Sequence, residues 1–151
     1  MKIIEIGLIL NNSSTLENLQ VFLESCEEFS IKWLKNIEDS FENSEEAPTV
    51  ILLETDEEKD LFDLIPTLQE KFKKTEIILL VNQYQSSTIF SSFHAGVSSI
   101  LLKDTSFEII KKSIITTASG GSYLSPLIAR IVVNYFNGMV PGNIPNFSPT
   151  P

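Results

Sequence analysis

A chain of 151 residues with 42% hydrophobic content holds one domain with a real core and a little extra. Its net charge of −9 argues against nucleic-acid binding by this chain alone, and its one cysteine, Cys26, excludes an internal disulfide and suits a reducing cytoplasm. No apolar run approaches the roughly 20 residues needed to span a bilayer, and MKIIEIGLIL has Glu5 inside its apolar stretch and no small-residue cleavage site, so it reads as a first strand.

In chain order, residues 3–10 (IIEIGLIL) form that strand, ending in the polar run Asn11-Asn12-Ser13-Ser14. Ser13 or Ser14 caps a helix to about Cys26, with Leu16, Leu19, Phe22 and Leu23 at helical spacing. Residues 30–34 alternate weakly as a short second strand, and a poor acidic helix is expected near 37–45. The run TVILLETDEE (49–58) places a continuous apolar third strand, 50–53, directly before Glu54, the pattern of a strand buried on both faces. Residues 61–72 carry a helix stripe interrupted by Pro66, which is expected to bend the helix or delay its start. A fourth strand (77–81), a helix (86–94) closed by Gly96, a fifth strand (99–102) and an amphipathic helix (105–119) ended by Gly120-Gly121 follow.

Strand and helix alternate five times, which implies a parallel sheet with helices on both faces. The expected architecture is a flavodoxin-like three-layer sandwich with strand order 2-1-3-4-5. An extra C-terminal helix follows, with Ser125 as N-cap, Pro126 at its first position and Gly138 after its last periodic residue. Residues 1–122 are thus the expected domain, 123–138 a linker helix and 139–151, with four prolines, an extended linker. Charge is uneven. Residues 24–63 hold 14 of the 20 acids, whereas 77–102 carry none and no lysine or arginine.

In such a sheet chemistry gathers beyond the carboxyl ends of the strands, here Asn11, Asn12, Glu54, Val81, Asn82 and Lys103. With AGVSSILLKD (95–104) and GGSYLSPLIARIVV (120–133), this layout resembles the receiver domain of bacterial two-component response regulators, in the NarL/LuxR-like group. The resemblance covers residues 2–136. In that group the patterns are AGAxGYLLKD and GGxYLSP, and a helix-turn-helix DNA-binding domain follows the linker. The resemblance therefore implies a cytoplasmic signalling or transcription regulator that dimerises and meets DNA only through a C-terminal domain absent here.

It also implies a site: an acid pair after strand one and an Asp ending strand three hold Mg²⁺, and the Asp accepts a phosphoryl group. A Thr or Ser on strand four and a Lys after strand five bind the phosphoryl oxygens. This sequence departs at almost every step. The acid pair is Asn11-Asn12, the acceptor position is Glu54, the hydroxyl position is Val81 and the strand-five aromatic of the switch is Ile100; Lys103 alone matches. The expectation is a degenerate, phosphorylation-independent receiver with no catalytic residue, metal or cofactor. The alternatives are a conventional receiver phosphorylated on Glu54 or Asp56, and a pseudo-receiver binding a small ligand at the strand edge. Glu54 either imitates a phospho-aspartate or pairs with Lys103, and the pairing needs fewer parts.

His94 lacks acid, Cys or a second His nearby, and no phosphate-loop or nucleophile-elbow motif occurs. Two surfaces remain as interface candidates for a homodimer or a signalling partner. One is the uncharged helix of Ser86, with Ile89, Phe90 and Phe93. The other is the C-terminal helix stripe of Leu127, Ile128, Ile131 and Tyr135, which either packs back on the domain or meets a partner.

Overall fold

The computed structural model describes residues 2–11, 17–39, 45–55 and 57–138. Asn12, Ser13, Ser14, Asp56 and the proline-rich segment 139–151 lie outside them, as does most of the expected acidic helix. The elements are β1 (Ile4–Leu10), α1 (Glu17–Ser25), β2 (Phe29–Asn36), β3 (Val50–Glu54), α2 (Glu58–Lys71), β4 (Glu76–Val81), α3 (Ser86–Ala95), β5 (Ser99–Leu102), α4 (Phe107–Ala118) and α5 (Pro126–Asn137). All strand pairs are parallel, in the order β2-β1-β3-β4-β5, which is the expected flavodoxin-like sandwich.

Alternation along the strands builds two cores. Val50 and Leu52 of β3 join Leu19 and Leu23 of α1 and Ile110 and Ile114 of α4 on one face. Ile51 and Leu53 join Leu61, Ile65 and Leu68 of α2, Ile89 of α3 and Ile128 of α5 on the other. Every residue of β3 is buried, as its unbroken apolar run requires. Each fully buried aliphatic side chain contributes about 1.5–3 kcal/mol.

The second strand is longer than expected, and its weak alternation has a structural cause. Ile6 pairs with Ile31 but Gly7 pairs with Trp33, so Lys32 is an extra residue, a β-bulge. Strict alternation would set Trp33 beside Ile31. The bulge carries it to the opposite face, where its ring lies flat on Gly7, within contact of Phe72 at 6.1 Å between centroids. Trp33 Nε1 donates to the Glu46 carbonyl at 3.0 Å. Ile37 and Glu38 are turn rather than the start of a helix, and Ile37 and Trp33 are partly buried against the second core. A Cβ built on Gly7 would stand 2.6 Å from the indole. Gly7→Ala is therefore expected to destabilise the fold by about 1–3 kcal/mol. The emission of the single tryptophan would shift to the red as the indole lifts into water. An unchanged midpoint and spectrum would show that the ring slides aside freely.

Helix α2 begins at Glu58, before the expected start, so Pro66 does not delay it. Pro66 lies on the exposed face, one turn beyond the exposed Phe62, where water can replace the missing N–H donor. Gly96 ends α3 at φ 113, a conformation that favours glycine. Beyond α4, Leu124 makes a parallel bridge to Ile100, and Tyr123 N–H donates to Ser99 Oγ at 2.8 Å. Ser99 Oγ also meets Thr117 Oγ1 at 2.8 Å, so both buried hydroxyls are satisfied. This short segment covers the β5 edge and delivers the chain to α5.

Ion pairs clip the periphery. Lys32 is bonded to Glu5 and Glu46 at 2.5 and 2.9 Å, and these carboxylates raise the lysine pKa while Lys32 lowers that of Glu46. Lys111 pairs with Glu28 at 2.9 Å and holds the Glu28 carboxyl below its ordinary range by that hydrogen bond.

Candidate functional site

The carboxyl ends of β1, β3, β4 and β5 converge on Glu54. Its side chain is fully buried because β3 is the central strand and is covered on both faces. The Asn11 backbone N–H donates to Glu54 Oε1 at 2.8 Å. On the other side Lys103 Nζ stands 3.5 Å from Oε2, with only 13% of the lysine side chain exposed. The backbone N–H of Lys103 donates to the Val81 carbonyl at 2.8 Å, which fixes the lysine stem at the end of β4. A carboxylate so buried needs both a charge partner and hydrogen bonds, and it has both.

Asn11, Glu54 and Lys103 therefore come together, and Val81 joins them through its backbone while its side chain is buried in the core. Ile100 lies deeper, 1% exposed, in the same core cluster as Ile89 and Ile128. Asn12 and Asp56 lie outside the described residues. His94 is exposed at the last turn of α3. Ile89 and Ile128 are buried in the chain's own core and present nothing outward. Helix α5 does pack back on the domain: its start is fixed by the Ser125 cap and the Leu124 bridge, and Ile128 is buried in the second core. Phe90 stacks on Tyr135 at 4.4 Å, and Phe93 and Ile131 are partly buried against the core.

Thr55 is the residue that sequence reasoning passed over. It is buried, its Oγ1 donates to Asp60 Oδ2 at 2.8 Å and accepts from Glu57 N–H at 3.2 Å. It thereby ties the end of β3 to the first turn of α2.

Two hollows flank Glu54. One of about 150 Å³ is lined by Val81, Asn82, Gln83, Gln85 and Thr88, and one of about 180 Å³ by Asn11, Ile37, Glu38, Glu57, Lys59 and Asp60. Both are smaller than the roughly 300–1,000 Å³ of ordinary small-molecule sites. Among the described residues, no three His, Cys, Asp or Glu side chains gather as metal ligands. No helix among them is long and apolar enough to cross a membrane.

No protein-family model matches the chain, and no curated protein matches its sequence. Solved structures do. A two-component response regulator of the LuxR family from Aurantimonas sp. SI85-9A1 superposes with a TM-score of 0.74 at 14% identity, over 90% of this chain and 99% of that one. The isolated apo REC domain of RcsB from Salmonella enterica serovar Typhimurium gives 0.71 at 12% identity, over 86% and 98%. A structure of two RcsB dimers bound to two parallel DNAs gives 0.74 at 16%, over 87% and 69%.

The chain has a receiver-domain fold.

Within that receiver fold, Glu54 ends the central strand and Lys103 follows the last one. At these identities the likeness is one of fold.

Proposed function

We propose that this chain is an atypical, phosphorylation-independent receiver, without catalysis of its own, that works as an interaction and dimerisation module of a signalling or transcription regulator. The observation that carries this reading is the state of Glu54. Both carboxylate oxygens are engaged, one by the Asn11 N–H and one by the Lys103 ammonium, inside a fully buried site. A phosphodonor needs an accessible carboxylate oxygen as nucleophile, with a hydroxyl and a cation free to stabilise the transferred group. Val81 offers no hydroxyl, and Lys103 already neutralises the carboxylate.

The donor set also fits Mg²⁺ poorly. A hard cation wants several oxygen ligands, usually with more than one carboxylate. Here Asn11 brings an amide in place of an acid, and Lys103 stands where a cation would meet Glu54. Contact with DNA is assigned to a separate domain, because phosphates and a surface of net charge −9 repel. The hollows beside Glu54 give the small-ligand alternative little room.

Incubation with acetyl phosphate and Mg²⁺, read by intact mass, tests the proposal. The mass is expected to stay unchanged. A gain of one phosphoryl group, mapped to Glu54 or Asp56, would establish a conventional phospho-accepting receiver instead.

A further inference from the structure

The β2 bulge gathers a short basic row inside the most acidic part of the chain, where residues 24–63 hold 14 of the 20 acids. Lys32 and Trp33 turn to the same side of the sheet, and Lys35, two residues beyond Trp33, follows them. The segment 45–48, which leads into β3, lies against this row. Lys32 Nζ meets Glu46 Oε2 at 2.9 Å, and Lys35 Nζ meets Glu45 Oε1 at 2.7 Å. Between them the Trp33 indole N–H donates to the Glu46 carbonyl at 3.0 Å.

The two ends of this segment are held in different ways. At its far end Pro48 is buried and its carbonyl accepts from Thr75 Oγ1 at 2.7 Å, while the Thr49 N–H donates to the Glu5 carbonyl at 2.8 Å. Ahead of Pro48 the hold is polar and open to water. The Glu46 side chain is 76% exposed and Ala47 is exposed. Solvent-screened ion pairs contribute little each, and a segment that buries little apolar surface opens at a cost well below that of the whole domain. Release of Glu46 does not strand its partner either, because Lys32 also stands 2.5 Å from Glu5 Oε2.

We propose that residues 45–47 form a strap that opens and closes on β2 while the rest of the domain stays folded. On opening, Lys32 keeps Glu5 and gives up Glu46, Lys35 gives up Glu45, and the Trp33 indole N–H turns to water. The open strap uncovers a row that holds two of the three lysines among residues 24–63. The device involves neither Glu54 nor α5, so it stands or falls separately from the phosphorylation result.

Hydrogen exchange of the Trp33 indole N–H, followed by NMR on the full chain, tests it, since the chain has a single tryptophan. The amides of Ile51 and Leu53 in β3 report opening of the whole domain. Dilute urea should speed those amides and leave the indole nearly unchanged, because opening the strap exposes little surface. In the double variant Glu45→Gln with Glu46→Gln the indole is expected to exchange roughly fivefold faster, with the β3 amides unaltered. Lys35→Gln removes one pair and leaves Lys32 in place, so its acceleration should be smaller. Glu70→Gln, at an exposed site on α2, should change nothing. An indole that follows the β3 amides under urea would overturn the proposal, because the strap would then open only with the fold. Unaltered exchange in the double variant, or equal acceleration in Glu70→Gln, would overturn it as well.

Discussion

Lys103→Met is expected to lower the unfolding free energy by about 3 kcal/mol, the low end of the range for breaking a buried ion pair. The loss comes from what remains behind. Glu54 stays fully buried with the Asn11 N–H on Oε1, and it loses the ammonium that stood 3.5 Å from Oε2. The low end applies because that distance is long for a charge-assisted hydrogen bond and Lys103 keeps 13% of its side chain in water. Glu54→Gln should cost less than Lys103→Met, since the amide oxygen can still accept from Asn11 and the lysine can turn toward solvent. The double variant Glu54→Leu with Lys103→Met removes both charges and is expected to recover most of the loss. Urea denaturation measures all three, with the midpoint moving and the slope held. A cost below about 1 kcal/mol for Lys103→Met would place the pair among solvent-screened surface bridges. It would also remove the main support for a closed site.

Ile128→Ala is expected to cost about 3 kcal/mol, within the range for deleting a buried isoleucine side chain and leaving a cavity. Ile128 is fully buried in the cluster that includes Ile89 and Ile100, so α5 is part of the second core. Leu127, the adjacent residue, is mostly exposed, and Leu127→Ala should stay within about 0.5 kcal/mol when measured at a dilution that leaves single chains. The contrast between neighbours is the test. Equal, small effects would mean that α5 adds little to the fold and serves only as a spacer. A large effect at Ile128 alone would show that the helix is held against the position of Ile100. Any element attached to α5 would then be oriented by the domain itself.

Much of the fold was legible because it depends on local periodicity. The apolar run of β3, the caps at Gly96 and Ser125-Pro126 and the β-α alternations after β1, β3, β4 and β5 are local signals, and the observed order β2-β1-β3-β4-β5 agrees with them. The limits of β5 agree to the residue with those expected, and α5 starts at the expected Pro126. The candidate site was legible at Glu54 and Lys103 because each sits at a strand terminus, where a parallel sheet must bring such residues together. Thr55 was missed because its role depends on Asp60 reaching back from α2.

What the chain determined by itself is the layer plan and the chemistry available at the sheet edge: no acid at position 11, no hydroxyl at 81, a glutamate at 54 and a lysine at 103. Three matters were decided only by the tertiary structure, because each depends on residues distant in sequence. The bulge at Lys32 follows from pairing with β1, and only that pairing brings Trp33 over Gly7. Ile128, apolar and equally plausible outward or inward on its helix, turns inward where Leu124 bridges to Ile100 and sets the start of α5 against the second core. The closure of Glu54 is likewise a matter of packing. A carboxylate at a strand end is accessible or sealed according to what crosses above it, and here the Asn11 N–H and Lys103 close on it from two other strands.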